Sequence, residues 1–286
     1  MLAMSTSWKK EVKEGRRFQF GKNWSSYSNQ ALNEEGIKEA ERSLLSLLGC
    51  KTISGRSFLD IGCGSGIFSL AARNLGAKVY SFDYDQNSVE CTQLLKERFF
   101  HEDSDWHVMS GSALDTDFIK SLGSFDIVYS WGVLHHTGDM MKALENSVIP
   151  SSRPDSLIAI SIYNDRKYRS KIWKKIKEAY CRGGLNRLLV SAIYIPYTYG
   201  RAIIAGIIKF KNPFGYIYNY GVKNRAMSFH HDVIDWLGGY PYEVAKPEMI
   251  FHFYKNHGFK LVNLITTNSN GTNQFCFIKE EQANHS

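Results

Sequence analysis

The sequence predicts an α/β protein built on a doubly wound, mostly parallel sheet. Short apolar runs alternate with helix-like segments along most of its 286 residues, and a glycine-rich turn follows the first run. Polar residues suited to ligand contact come directly after several of these runs. Alternating strands and helices give a parallel sheet covered on both faces, and ligands of such sheets bind beyond the carboxyl ends of the strands. We therefore expect a ligand site at that edge.

The first strand and its turn form the stretch around which the chain is organised. Residues 58–61 are an apolar run that holds Asp60, a G-x-G-x-G turn begins at Gly62, and residues 67–75 carry apolar side chains at helical spacing. Glycine reaches positive φ and lets a ligand approach bare backbone, and the N–H groups of a helix start then face that ligand. The alternative is a turn that only allows close packing of strand and helix.

The second strand, predicted over residues 78–82, ends at an acid. Asp83 lies about twenty residues past the glycine turn, where a carboxylate in a βαβ unit reaches the hydroxyls of a ribose. Asp85 is expected instead to cap a helix over residues 86–100.

The other elements follow from the same patterns. An amphipathic helix over residues 33–48 has Asn33 as its expected N-cap. Further strands are predicted over residues 106–110, 125–130, 156–162, 259–267 and 274–279, and further helices over 139–148 and 247–257. Residues 268–271 predict a hairpin loop between the last two strands.

The glycine turn and the next hundred residues resemble class I S-adenosyl-L-methionine (SAM) methyltransferases. The glycine spacing differs from the G-x-G-x-x-G of NAD-binding proteins, and the end of the fourth strand, Trp131-Gly132-Val133-Leu134-His135-His136, is similar to a "VLHH" signature of small-molecule members. The strand ends look most like O-methyltransferases of the ubiquinone-biosynthesis type. Covering residues 55–165 and 247–280, the resemblance implies a seven-stranded Rossmann-like sheet with an antiparallel last strand and a helical insertion after the fifth.

The resemblance also implies a cofactor site for SAM. The loop after the third strand would hold the adenine edge; family members often have an acid where this chain has Ser112, so backbone contacts could serve instead. Trp131 would lie near the cofactor and His135 or His136 near the methyl group, unless these histidines are simply packed. The predicted cofactor-binding residues are Asp60, Gly62, Cys63, Gly64, Gly66, Asp83, Tyr84, Ser112, Ala113 and Trp131.

The insertion, residues 163–246, has an unusual charge. It holds fifteen Lys/Arg and five Asp/Glu, a net of +10, so that the rest of this +7 chain carries −3. Residues 167–180 predict a basic helix, and residues 185–208 are apolar and aromatic but broken by Pro196 and Arg201. A spanning helix needs about twenty uninterrupted apolar residues. We therefore expect a lid over the core, with a segment lying on a membrane interface as the alternative.

A candidate general base lies late in the insertion. If Ser228 caps a helix, His231 and Asp235 share one face at i, i+4, and a carboxylate partner would fix the tautomer of the histidine and raise its pKa. His135 is the competing base. Two solvated helix neighbours are the alternative, and no metal site is expected, because adjacent histidines diverge.

These predictions combine into one functional hypothesis. We expect an N-terminal helical flap (1–54), a SAM-binding half (55–162), the insertion as lid (163–246) and a C-terminal part of the sheet (247–286), although residues 18–24 could equally be a staple onto the core. The expected enzyme methylates an oxygen, with nitrogen as second choice, of a small acceptor that is anionic or linked to a lipid or carrier. An RNA methyltransferase is disfavoured by the absence of an N-P-P-Y motif and of an added RNA-binding module, and a non-catalytic SAM-binding protein is the other rival.

Scattered cysteines and a polar start fit a cytoplasmic protein. The basic insertion adds possible contact with a membrane surface, and the oligomeric state stays open.

Overall fold

A seven-stranded sheet forms the centre of the computed structural model, which describes residues 2–22, 34–208, 212, 214–218, 220 and 228–281. The strand order is β3-β2-β1-β4-β5-β7-β6. β1 to β5 pair in parallel, whereas β7 lies between β5 and β6 and is antiparallel to both. The strands are β1 (Ser57–Ile61), β2 (Lys78–Asp83), β3 (Trp106–Ser110), β4 (Ile127–Trp131), β5 (Leu157–Tyr163), β6 (Phe259–Ile265) and β7 (Thr272–Lys279). The predicted fold class is confirmed.

The helices cover both faces of the sheet and form most of the described insertion. They are α1 (Leu2–Lys13), α2 (Glu34–Leu48), α3 (Ile67–Asn74), α4 (Gln86–Phe99), α5 (Thr116–Ser121), α6 (Met140–Val148), α7 (Tyr168–Cys181), α8 (Gly184–Ile208), α9 (Gly215–Tyr218), α10 (Phe229–Gly238) and α11 (Pro247–Asn256). Sequence reasoning missed α1, which has no clear apolar stripe, and α5, which has only six residues. The predicted cap Asn33 lies outside the described residues.

Two apolar layers hold the sheet between its helices. On one face α2 and α3 contribute Leu44 and Leu70, and on the other α6 and α11 contribute Leu144 and Ile250; all four side chains are fully buried. The amphipathic pattern of α2 turns its apolar stripe toward the sheet. The layers fix the strands side by side, so the polar residues at their carboxyl ends meet at one edge.

The insertion leaves the sheet at the end of β5 and returns beside it. Asn164 and Ala245 form an isolated parallel bridge, so both ends of the segment are anchored above the carboxyl end of β5. Between them α7 packs against α8 and α10. Apolar side chains of these helices form two small clusters separate from the main core, one around Leu237 and one around Phe229.

Truncating Leu44 to alanine should lower the free energy of unfolding by about 2–5 kcal/mol, because the change opens a cavity in the layer between α2 and the sheet. Leu94→Ala is the matched control: Leu94 is 66% exposed on α4 and should change stability by less than about 0.5 kcal/mol. Urea unfolding curves measure both. Equal losses in the two variants would contradict the assigned core.

Candidate active site

Three glycines make the turn after β1 possible. Gly62, Gly64 and Gly66 have φ of 78°, 56° and 81°, in the left-handed region that other residues rarely adopt. A Cβ on Gly62 would also lie 2.4 Å from the Val133 side chain, and one on Gly66 would lie 2.9 Å from Thr92 Oγ1. The turn therefore requires glycine for its backbone angles and for its close contacts with the loop after β4 and with α4.

Asp60 is held by a hydrogen-bonded chain that crosses the sheet. Trp106 Nε1 donates to Ser81 Oγ at 3.0 Å, Ser81 Oγ donates to Ser69 Oγ at 2.7 Å, and Ser69 Oγ donates to Asp60 Oδ2 at 2.6 Å. Asp60 is only 2% exposed, and burial raises the pKa of its carboxyl to about 7, although the Ser69 hydrogen bond acts in the opposite direction. The chain fixes the orientation of an acid that lines the cavity.

Asp83 faces the same cavity from the end of β2. Its Oδ2 accepts a hydrogen bond from Gly64 N at 3.0 Å, and its Oδ1 accepts one from Asp85 N at 2.8 Å. Burial raises the pKa of Asp83 to about 6. Asp85 instead caps α4 by accepting from Asn87 N, which confirms the prediction for that residue.

The N-terminal segment crosses the cavity from the end of β2 to the loop after β4. Arg17 donates to the carbonyls of His136 and Thr137 at 2.9 and 3.0 Å, and its guanidinium lies 5.1 Å from the centre of the Tyr84 ring. Gly21 N donates to Asp85 Oδ2 at 2.8 Å. These contacts anchor the segment to residues 85, 136 and 137, which lie within the predicted SAM-binding half. Trp24, which the prediction of a flap or staple included, lies outside the described residues.

The loop after β3 closes the opposite end of the cavity. Leu114 N donates to Ser112 Oγ at 3.2 Å, so the Ser112 hydroxyl already accepts a local bond. Asp115 caps α5 by accepting from Phe118 N. Asn146 Nδ2 fixes the loop by donating to Ala113 O at 2.8 Å. The Ser112 hydroxyl can still donate, and both Ser112 and Ala113 line the cavity, so recognition by this loop stays a prediction.

One cavity of about 1700 Å³ joins the glycine turn to the insertion. Nine of the ten predicted cofactor residues line it, and the tenth, Gly66, packs against Thr92 and shapes the turn. Its far half is lined by aromatic, cationic and acidic side chains: Tyr163, Tyr194, Tyr216, Tyr220, Trp236, Arg201, Asp232 and Asp235. The carboxyl ends of the strands thus form one wall and the insertion the other.

The predicted base His231 and its predicted partner Asp235 lie in different places. Asp235 lines the cavity, whereas His231 is not among the lining residues; its Nδ1 lies 2.5 Å from Ser228 Oγ, on the residue that caps α10 as predicted. The pKa of His231 is lowered by burial and by neighbouring His230. This corrects the expectation of a raised pKa, because the carboxylate of Asp235 does not dominate the surroundings of His231.

His135 is fully buried behind the cavity wall. Its ring packs between His136 and Tyr163, with ring centres 4.4 and 4.2 Å away, and burial holds its pKa well below the usual range. His136 is the histidine that lines the cavity; its Nδ1 lies 2.6 Å from Pro241 O, and burial lowers its pKa to about 3. Position therefore argues against His135 as the group that meets an acceptor.

A buried lysine supports the wall between the sheet and the insertion. Lys177 of α7 is fully buried, donates to the carbonyl of Trp236, and lies 4.0 Å from the centre of the Trp236 ring and 5.9 Å from that of Tyr163. Burial lowers its pKa to about 7. Sequence reasoning missed Lys177, because nothing in the sequence distinguishes a buried lysine of a basic helix from a solvated one.

Sequence reasoning also missed Ser69 and Ser81, which hold Asp60. Their one weak signal is that each is a polar residue within an apolar run.

The fold and the site together define a class of protein, the SAM-dependent methyltransferases. The residues present fit the cofactor: two buried carboxyls face a cavity where a positively charged ligand would favour their ionised form, and Gly62 and Gly64 line the same cavity with bare backbone, which lets a ligand approach closely. The model of the family described as "Methyltransferase domain" matches residues 32–184, more than half of the sequence. The chain belongs to this family, and its cofactor is SAM.

Relatives with known roles match only the cofactor-binding part. A ribosomal protein L11 methyltransferase of Helicobacter hepaticus is 37% identical over 93 residues, 30% of this chain and 26% of the relative. A tRNA U34 carboxymethyltransferase of Pseudoalteromonas translucida is 33% identical over 84 residues, 29% of this chain and 25% of the relative. The chain thus spans about a quarter of the length of these curated relatives.

A solved structure covers far more of the chain. Magnesium protoporphyrin IX methyltransferase from Synechocystis PCC 6803, with S-adenosylhomocysteine bound, aligns over 86% of this chain and 84% of its own length. The TM-score is 0.51 and the sequence identity 14%, a likeness that concerns the fold alone.

Replacing Asp83 with asparagine should weaken SAM binding by about 1.5–3 kcal/mol, because the change removes a charge-assisted acceptor for the ribose hydroxyls. Asp103→Asn is the matched control, since Asp103 pairs with Arg73 at 2.5 Å and is not among the lining residues. Titration calorimetry measures both affinities. Unchanged binding in a folded Asp83→Asn protein would contradict the ribose assignment.

Stability and cofactor affinity should depend on pH in opposite ways. The pKa of Asp60 is raised from 3.8 to about 7 and that of Asp83 to about 6, so the folded protein binds more protons than the unfolded one across this window. The free energy of unfolding of the cofactor-free protein should therefore fall as pH rises from about 4 to 7. SAM affinity should rise over the upper part of the window, because a cation favours ionised carboxylates.

Thermal unfolding and calorimetry at several pH values check this prediction. Asp60→Asn should flatten both profiles, because asparagine can still accept from Ser69 but does not titrate. Asp117→Asn, at an exposed position, is the control. A wild-type affinity that stays constant from pH 5 to about 8 would contradict the assignment.

Proposed function

We propose that this protein methylates an oxygen, rather than a nitrogen, of a small acceptor that is anionic or linked to a lipid or carrier. The single observation that carries the proposal is the cavity of about 1700 Å³ shared by the glycine turn and the insertion. Ligand cavities usually measure roughly 300–1,000 Å³, so this one has room for a second molecule beside the cofactor. Bound SAM supplies a methyl group activated by the sulfonium charge. The protein's part is to align the acceptor and exclude water.

The far half of the cavity supports this choice of acceptor. Tyr163, Tyr194, Tyr216 and Trp236 offer flat apolar surfaces for a ring or chain, as aromatic side chains do in many binding sites. Arg201 contributes a guanidinium, suited to a carboxylate or phosphate. Among the described residues no ion pair engages Arg201; its charge lies 5.6 Å from the centre of the Tyr197 ring. The same half also holds two carboxylates, Asp235 and Asp232, of which Asp232 accepts from Tyr220 at 2.6 Å. An acceptor with an apolar body therefore matches these surfaces when its anionic group lies at Arg201.

Asp235 is our choice for the group that takes the proton of an acceptor hydroxyl. The sequence predicted Asp235 only as the partner that orients His231, but of the three predicted catalytic residues it is the one that lines the cavity. His136 also lines the cavity, but burial disfavours the imidazolium ion that it would become on taking a proton, whereas a carboxylate that takes a proton becomes neutral. His231 and His135 stay predictions that their positions disfavour.

Asp235→Asn should slow methyl transfer about 10²–10⁴-fold, the usual effect of losing a general base. SAM affinity should stay unchanged, because Asp235 lies outside the nucleotide-binding half. His231→Ala is the control and should keep most of the activity. Near-normal transfer by Asp235→Asn together with loss in His231→Ala would return the role to the histidine, and activity in both would indicate an acceptor that is already ionised.

The acceptor class is tested with SAM labelled in its methyl group. Purified protein is incubated with a cell extract, which is then separated into organic-soluble, water-soluble small-molecule and macromolecular fractions. The proposal predicts label in one of the first two, and much less label with Asp83→Asn when the concentration of SAM is limiting. Label in RNA or protein would favour a macromolecular acceptor, such as those named for the relatives above, and overturn the proposal.

A further inference from the structure

Helix α8 presents two faces of different character. One face lines the cavity through Tyr194, Thr198, Ala202 and Gly206, and Ala202 packs against Phe229 of α10. The opposite face is apolar and lies open: Leu185, Leu189, Ile193, Tyr197, Ile204 and Ile208 are between 52% and 73% exposed. We call these six residues the outer face of α8.

The outer face exposes six large apolar side chains, whereas the solvent-facing side of a helix is normally polar. Among the described residues α8 is the one helix long and apolar enough to cross a membrane, and only 6% of its most apolar window is buried, so it is not a core helix. Its inner face, however, is in contact with protein along the cavity, and Arg201 and Pro196 interrupt its apolar run. A helix with one protein-bound face suits the plane of a membrane interface, with its apolar side buried about 5–10 Å.

The charge of α7, the helix that packs against α8, indicates the kind of surface. The neighbouring helix α7 exposes Arg169, Lys171, Lys174 and Lys175, along with the apolar side chains of Tyr168 and Ile172. The one acid of α7, Glu178, pairs with Arg182 at 2.7 Å. A second copy docked on this face would bring two basic rims together, which is unfavourable. Anionic lipid headgroups complement such a rim.

We propose that the outer face of α8 docks into an anionic lipid membrane, with the lysines and arginine of α7 against the headgroups. This placement does not depend on the proposed reaction. The placement has a consequence for that reaction: the helix that meets the lipid is also a wall of the cavity, so a lipid-linked acceptor would cross about the width of one helix to reach the cavity.

Vesicle flotation of the full chain tests the docking. The probes are vesicles of phosphatidylcholine alone and vesicles in which part of it is replaced by phosphatidylglycerol. The wild-type protein should float with the anionic vesicles. Ile193→Glu should lower its partition coefficient at least about tenfold, because the exposed isoleucine that would enter the lipid is replaced by a charge. Leu94→Glu, at a 66% exposed position on α4, is the matched control and should float like the wild type.

Two further measurements show whether a membrane or a second copy of the chain covers the outer face. Replacing Lys171, Lys174 and Lys175 with glutamine should weaken binding to the anionic vesicles while SAM affinity, followed by calorimetry, stays unchanged. The proposal is overturned if the wild type floats with neither vesicle, or if Ile193→Glu floats equally well. It is also overturned if light scattering shows a dimer that Ile193→Glu dissociates, since the outer face would then be an interface between copies.

Discussion

The burial of two carboxyl groups at the ends of neighbouring strands is the constraint on which the site depends. Parallel pairing of β1 with β2 sets Asp60 opposite Ser81 and brings Asp83 beside the glycine turn. A buried carboxylate is unfavourable unless it is hydrogen-bonded or meets a cation. Ser69 and the backbone of Gly64 and Asp85 supply hydrogen bonds, but both pKa values stay raised. In the cofactor-free protein, binding of a positively charged ligand would therefore lower the pKa values of Asp60 and Asp83 and favour their ionised forms.

The N-terminal segment (residues 17–22) contacts the protein on both sides of these carboxyl groups. Arg17 reaches the loop after β4, while Gly21 reaches Asp85 two residues beyond Asp83. A Cβ on Gly21 would lie 2.5 Å from Ser88 N, so the segment packs directly on the start of α4. The segment also packs on the insertion, because Phe18 N donates to Tyr240 O at 2.9 Å and the Phe18 side chain is buried beside Leu237. It therefore contacts both the ends of the strands and the insertion.

Local features of the sequence predicted the cofactor half well. The turn after β1, the strand ending at Asp83 and the caps Asp85 and Ser228 depend on residues close together in the chain, so their signals are visible without tertiary structure. The hydrogen bonds that link Trp106 to Asp60, and the contacts of Arg17, join residues far apart in the sequence, so no local pattern predicts them. The roles of His231 and His135 stay predictions, although the positions of both side chains disfavour them. Helical spacing predicts His231 beside Asp235, whereas in the structure His231 Nδ1 lies 2.5 Å from Ser228 Oγ. His136, rather than His135, lines the cavity.

Hydrogen–deuterium exchange with and without SAM tests the central claim most directly. SAM should slow amide exchange in the glycine turn (62–66), at the end of β2 (82–85) and in the N-terminal segment (17–22), and leave the edge strand β6 unchanged. This pattern follows if the ligand lies beyond the carboxyl ends of the strands and beneath the N-terminal segment. Protection confined to the insertion, with no change at residues 62–66 and 82–85, would contradict the account.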